Sequence, residues 1–149
     1  MENHIRLAEQ QDADAIASVF TRSRSLLGFL PKLHTAEEDR HFIETVVLAE
    51  NSVRVAIENH RICGFIAVKN GWIDHLYIDP DHLGKGMGSR LLINTMADAT
   101  HLKLWTFQQN QHARRFYEYH GFTPDLMTDG GENEEKQPDV LYVWSRTTS

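Results

Sequence analysis

Residues 76–92 read Leu76-Tyr77-Ile78-Asp79-Pro80-Asp81-His82-Leu83-Gly84-Lys85-Gly86-Met87-Gly88-Ser89-Arg90-Leu91-Leu92, and this stretch decides the fold. It begins as the end of a strand running from Trp72 to Ile78 and turns at Asp79-Pro80-Asp81. From about Gly88 the spacing is helical, with Leu91 and Thr95 adjoining a row of Leu92, Met96 and Ala99. Three alternating glycines, Gly84, Gly86 and Gly88, fill the junction. A flexible turn at a helix N-terminus leaves backbone N–H groups without partners, which makes it a natural anion site. Lys85 and Arg90 would add charge at its rim.

Three familiar phosphate loops do not match. A P-loop needs glycine where Asp79 stands and Ser or Thr where Gly86 stands. A dinucleotide fingerprint, counted from Gly84 or from Gly86, lands on Ser89 or Leu91 instead of a third glycine. A kinase glycine loop lies in a hairpin near the start of its domain rather than ahead of a helix. Taken alone, the glycines also suit a plain strand-to-helix turn with no ligand.

Upstream of this stretch, Ile5-Arg6-Leu7-Ala8 alternates as a short strand, and Asp12 is positioned to cap a helix carrying Ala13, Ile16, Ala17 and Phe20. Residues 25–31 combine turn formers with large apolar side chains and read as a loop that covers a pocket. Thr35-Ala36-Glu37-Glu38 has the spacing of a capping box, and Phe42, Ile43, Val46 and Val47 continue at helical spacing. Strands over 52–58 and 62–69 are joined by Asn59-His60-Arg61, and Asn70-Gly71 turns the chain into the strand at Trp72.

Downstream, a strand over 102–107 follows the crossover helix and should lie parallel to the strand before it. Ala113, Phe116 and Tyr117 mark a short helix ending at Gly121, and a last strand covers 140–144. The expected fold is mixed α/β: a central, mostly antiparallel sheet, about four helices, and one parallel pair.

The chain has 149 residues with 41% hydrophobic content, which suits a single domain over 1–149. Net charge −6 and a pI near 5.8 argue against nucleic acid as a partner and favour a neutral or cationic substrate. One cysteine, Cys63, cannot form an internal disulfide and fits a reducing compartment. The N-terminal residues lack the build of a secretory signal, and no apolar run is long enough to span a membrane, so a cytoplasmic location is expected.

A second motif follows about twenty-five residues after the glycines: Asn110-Gln111-His112-Ala113-Arg114-Arg115-Phe116-Tyr117-Glu118-Tyr119-His120-Gly121-Phe122. Together the two motifs resemble those of the GNAT superfamily of acetyl-CoA-dependent N-acetyltransferases: the strand, Gln/Arg-x-x-Gly-x-Gly/Ala turn and helix, then Asn-x-x-Ala-x-x-Phe-Tyr-x-x-x-Gly-Phe. The departure is Leu83, which stands at the Gln/Arg position.

The resemblance implies acetyl-CoA as acetyl donor, with no metal. Backbone groups of Leu76 and Ile78, flanking Tyr77, would pair with the pantetheine arm. Leu83, Gly84, Lys85, Gly86, Met87, Gly88, Ser89 and Arg90 would hold the pyrophosphate, with Asn110, Ala113 and Phe116 also at the coenzyme. Tyr117 would protonate the departing thiolate in a direct transfer to an amine; the alternative is an ordinary core aromatic.

The attacking amine must lose a proton, so a base should face the thioester. Asp74 and His75 lie on the strand that should face the acetyl group; alternation sends their side chains to opposite faces unless a bulge intervenes. His34 is a third candidate, and it and Phe29 belong to the region that in this family shapes the acceptor pocket. The acidic run at 129–135 either steers a cationic amine or is simply solvated. The expected acceptor is a small-molecule primary amine. A peptide or protein amine is the second reading, and a coenzyme-binding module without catalysis is a third. Dimers are frequent in the family, and a homodimer is left open.

Overall fold

The computed structural model describes residues 4–29 and 31–146, so Leu30 of the apolar loop and the ends of the proposed 1–149 domain lie outside the described residues. The strands are β1 (His4–Leu7), β2 (Ser52–Glu58), β3 (Arg61–Lys69), β4 (Trp72–Ile78), β5 (His101–Phe107), β6 (Thr123–Thr128) and β7 (Asp139–Ser145). They form one seven-stranded sheet in the order β1-β2-β3-β4-β5-β7-β6. Every neighbouring pair is antiparallel except β4 and β5. The expected mixed sheet with one parallel pair is therefore present.

The helices are α1 (Ala13–Arg24), α2 (Ala36–Phe42), α3 (Leu48–Glu50), α4 (Met87–Met96) and α5 (Gln111–Tyr119), with a π-helical stretch (Ile43–Val47) joining α2 to α3. Thr35 and Glu38 form the expected capping box, at 3.1 and 2.8 Å. Asp12 stands at the N-cap of α1 without capping it. Its carboxylate turns back to accept from the Glu9 N–H at 2.7 Å and from Arg6 at 2.8 Å, because the guanidinium is the stronger partner. Asn59-His60 and Asn70-Gly71, all at positive φ, make the two hairpin turns, and Arg61 already belongs to β3.

Two apolar layers cover the sheet. One lies under α4 and α5 and includes Ile66, Leu91, Leu92, Leu104, Phe122 and Tyr142; the other lies under α1 and α2 and includes Ile16, Phe20, Ile43, Val55 and Phe65. Among the described residues no helix is long and apolar enough to cross a membrane.

Two features of the fold shape the site. First, β4 and β5 share a single parallel bridge, Trp72 to Lys103, supported by the Lys103 N–H donating to Gly71 O at 2.9 Å. Beyond it the strands part, and the β5-facing edge of β4 is left without a strand partner. Second, the register of β3 on β4 steps from Val68–Ile73 to Ala67–His75, making Asp74 the extra residue of a bulge. As a result Ile73 packs in the α4 layer, while the His75 ring contacts Phe20, Phe42 and Phe65 of the other layer.

The strand β6 was absent from the sequence expectation. Thr123-Pro124-Asp125-Leu126-Met127-Thr128 has no buried face to impose alternation and carries a proline, which an edge strand tolerates. The acidic run is likewise more than a solvated loop. It connects β6 to β7 and reaches back across the fold, where Glu135 pairs with Arg24 at 3.0 Å and Glu134 with His34 at 3.1 Å.

Candidate active site

Where β4 and β5 part, a cleft of about 450 Å³ opens between β4, the glycine turn and α5. Leu76, Tyr77 and Ile78 line it from β4. Leu83, Gly84, Gly86, Met87, Gly88 and Ser89 line it from the turn. From α5 and its N-cap come Asn110, Ala113, Phe116 and Tyr117, Ser23 comes from the end of α1, and Leu26 and Leu27 from the loop after it. Leu26 and Leu27 belong to the apolar loop over 25–31 expected to cover a pocket, whereas Ser23 has no signal in the motifs.

The turn leaves the backbone donors at the start of α4 open. Gly86 caps α4 in the left-handed region at φ 77°, a conformation that would strain any other residue, and offers no side chain to the helix end. Arg90 N–H is the first to find a helical acceptor, Gly86 O at 3.1 Å, so the N–H groups of Met87, Gly88 and Ser89 have no acceptor within the helix. A Cβ at Gly88 would reach the Phe116 ring at 3.5 Å, an ordinary contact distance, so the glycine lies directly against that ring. Leu83 is half-exposed at the rim and supplies no polar group. Lys85 is not among the lining residues and lies 3.5 Å from Glu58; Arg90 does not line the cleft either.

Asn110 caps α5, its Oδ1 accepting from the Ala113 N–H at 3.1 Å, which fixes the helix that presents Tyr117. Tyr117 is 8% exposed and packed against Phe116, Phe122 and Tyr142. Burial, and secondarily Tyr77, push its hydroxyl well above the usual phenol range, so it is protonated at any physiological pH. That hydroxyl makes no hydrogen bond to another described residue.

A second cavity, of about 760 Å³, lies on the other side of Tyr77. Phe20, Phe42 and His75 form its apolar wall, and Glu37, Glu38, Asp39, Glu134 and Glu135 its acidic rim, with Arg24 and His34 among them. Tyr77 stands between the two spaces: its ring meets Phe20 at 5.4 Å, and its hydroxyl accepts from Arg24 Nη1 at 3.2 Å.

The candidate bases separate. His75 reaches the second cavity; burial first, and then Arg24, lower its pKa from 6.5 to about 4 against the opposing pull of Asp74. Asp74 lines neither space and accepts from Asn51 Nδ2 at 2.9 Å on the exposed side. His34 lies on the cavity rim and is raised by its bond to Glu134. Phe29 packs on Phe107 at 5.7 Å, away from both cavities.

The group Glu58, Cys63 and His82 brings potential ligand atoms within 4.8 Å of one another. These side chains already have partners: His82 bonds Asp79 at 3.2 Å, Lys85 sits on Glu58, and burial pushes the Cys63 thiol up.

A glycine turn whose helix-start N–H groups lack a helical acceptor, an open strand edge beside it and a buried tyrosine between them suit acyl transfer from a donor with a phosphorylated arm. The model of the acetyltransferase (GNAT) domain matches residues 37–124, and the chain belongs to that family. It is 23% identical over 141 residues to the peptidyl-lysine N-acetyltransferase YiaC of Escherichia coli, covering 94% of this chain and 95% of that protein. The solution structure of apo YjaB from Escherichia coli superposes with a TM-score of 0.78 at 23% identity, covering 97% of this chain and 98% of that one. Salmonella typhimurium yncA, solved with its cofactor acetyl-CoA, superposes with a TM-score of 0.73 at 18% identity, covering 100% and 96%. The protein is an N-acetyltransferase that uses acetyl-CoA.

Proposed function

We propose that the chain acetylates the primary amine of a small cationic molecule by direct transfer, with Tyr117 as general acid. One observation carries this reading: Tyr117 is a buried, protonated residue lining the cleft, and Tyr77 of the same cleft contacts Phe20 and Arg24 of an acid-rimmed cavity. The continuous sheet supports treating residues 1–149 as one N-acetyltransferase domain.

Acetyl-CoA supplies an activated acyl group. The open edge of β4 at Leu76 and Ile78 aligns the pantetheine arm, and the Met87, Gly88 and Ser89 N–H groups hold the pyrophosphate. Backbone donors make up for the apolar Leu83. The ring of His75, neutral above about pH 4, accepts the proton that the amine nitrogen sheds, through a water molecule, as the N–C bond forms. Tyr117 gives its proton to sulfur as the C–S bond breaks, and recovers one from solvent. Products are the acetamide and the free thiol. Asp74 acts through its charge on His75 rather than as the base.

A lysine side chain in a peptide is the second reading, favoured by the likeness to YiaC, a peptidyl-lysine N-acetyltransferase. Thiol release from acetyl-CoA, measured with a panel of small diamines and of lysine peptides, separates the two. Turnover on peptides alone would overturn the small-molecule reading, and coenzyme binding with no turnover on any amine would leave a binding module.

A further inference from the structure

His120 stands behind the glycine turn rather than in it. It is the C-cap of α5, and its ring lies against Phe116 at 4.8 Å and Tyr119 at 5.2 Å. Its Nε2 is 2.9 Å from Ser89 Oγ, which joins two stretches 31 residues apart. Ser89 lines the coenzyme cleft. Its N–H is among the three at the start of α4 without a helical acceptor. The Phe116 ring that faces Gly88 is the ring that seats His120, so one side chain spaces both.

We propose that His120 is a positioning residue for coenzyme phosphate, acting through the hydroxyl of Ser89; this rests on the reading of residues 83–90 as the pyrophosphate turn. A serine hydroxyl has one hydrogen to give and lone pairs to accept with, and a neutral imidazole has one donor and one acceptor nitrogen. If Ser89 donates to the ring, only lone pairs face the cleft, and a phosphate oxygen cannot use them. If Nε2–H donates to Ser89, the hydroxyl hydrogen is free for the phosphate. An anion in the turn selects the second arrangement. Burial holds His120 below the ordinary imidazole range, so a neutral ring with its hydrogen on Nε2 serves this purpose at neutral pH. The ring thus converts a freely rotating hydroxyl into a fixed donor beside the backbone N–H groups, where a bond to a charged acceptor is strong.

The test compares coenzyme A binding by calorimetry with steady-state kinetics on two donors, acetyl-CoA and S-acetylpantetheine, the second lacking phosphates. His120→Ala is expected to raise the Kd for coenzyme A and the KM for acetyl-CoA about tenfold, the size of one charge-assisted hydrogen bond. It should leave kcat and the KM for S-acetylpantetheine unchanged. His120→Gln, whose amide nitrogen can replace Nε2, should recover most of the loss. Ser89→Ala should match His120→Ala, and the double variant should be no worse than either.

A wild-type Kd in His120→Ala, with Ser89→Ala still impaired, overturns the positioning role and leaves the turn intact as the phosphate site. Equal losses on both donors assign His120 to folding alone and also overturn it. If Ser89→Ala binds coenzyme A normally, the hydroxyl plays no part in phosphate binding and the proposal falls. A further loss of binding in neither Ser89→Ala nor Gly86→Ala removes the phosphate reading of the turn itself.

Discussion

Arg24 donates to the hydroxyl of Tyr77 at 3.2 Å and pairs with Glu135 at 3.0 Å, joining the end of α1, the end of β4 and the β6–β7 connection in one contact. The guanidinium is three-quarters covered and its carboxylate partner more so, so the pair is shielded from solvent in a way the surface ion pairs of this chain are not. Arg24→Ala would leave Glu135 covered and unpaired. The expected cost is roughly 1–2 kcal/mol, a fall in Tm of a few degrees. Limited proteolysis should then cut within 129–138 faster than in the wild type; an unchanged cleavage rate would show that the connection is held by its own bonds, such as Asn133 to Gln137 O.

Tyr117→Phe removes one oxygen from a packed ring whose hydroxyl has no bond to another described residue. Stability should hardly change, and the Kd for coenzyme A should stay within about twofold, below the size of one hydrogen bond. Turnover should fall roughly a hundredfold, the usual share of a general acid. Single-turnover measurements at saturating acetyl-CoA decide the matter, and wild-type rates would remove Tyr117 from the chemistry.

His75 gives the fold an acid sensitivity with a defined sign. Its pKa is about 4 when folded against 6.5 when exposed, so the unfolded chain binds the extra proton first. Nothing is lost above pH 6.5; stability then declines as pH falls and the loss is complete below about 4. The full span corresponds to about 3 kcal/mol. Urea melts of wild type and His75→Phe at pH 7.5 and 4.5 check this: the difference between the two pH values should shrink in the variant. Equal acid sensitivity in both proteins would place the titrating group elsewhere.

Gly86→Ala tests the turn without touching its packing, because nothing lies within 4 Å of the added methyl. The left-handed backbone alone should cost about 1–2 kcal/mol. If the turn relaxes to relieve that strain, the N–H groups of α4 lose their common aim and the KM for acetyl-CoA rises. Thermal melts and coenzyme titration measure the two effects separately.

Much of this architecture was readable from local pattern. The strands β2, β3 and β4 alternate or run apolar, their hairpin turns carry Asn-His and Asn-Gly, and the Thr35 box marks its helix, so each announces itself within a few residues. The glycine turn and Tyr117 were legible as candidates through two motifs of fixed spacing. What stayed hidden depends on contacts distant in the chain. Arg24 finds Glu135 across 111 positions, and Ser89 finds His120 across 31. The edge strand β6 makes no buried layer and so leaves no periodic trace. Asp12 leaves α1 without a side-chain cap because a cap signal and an ion-pair signal compete for one carboxylate, and Arg6 wins it.

The extra residue at Asp74 has a further consequence. Two parallel strands joined at Trp72 and Lys103 would ordinarily go on closing, bond by bond, like a zip. Asp74 sits just past the last closed tooth, where a bulge bends its strand. The opening in the middle of the sheet thus begins next to the one inserted amino acid of its strand. Deleting that residue would restore plain alternation with Ile73, His75 and Leu76 still on their present faces, so the insertion shapes the course of the strand beside the cleft and not which side chains line it.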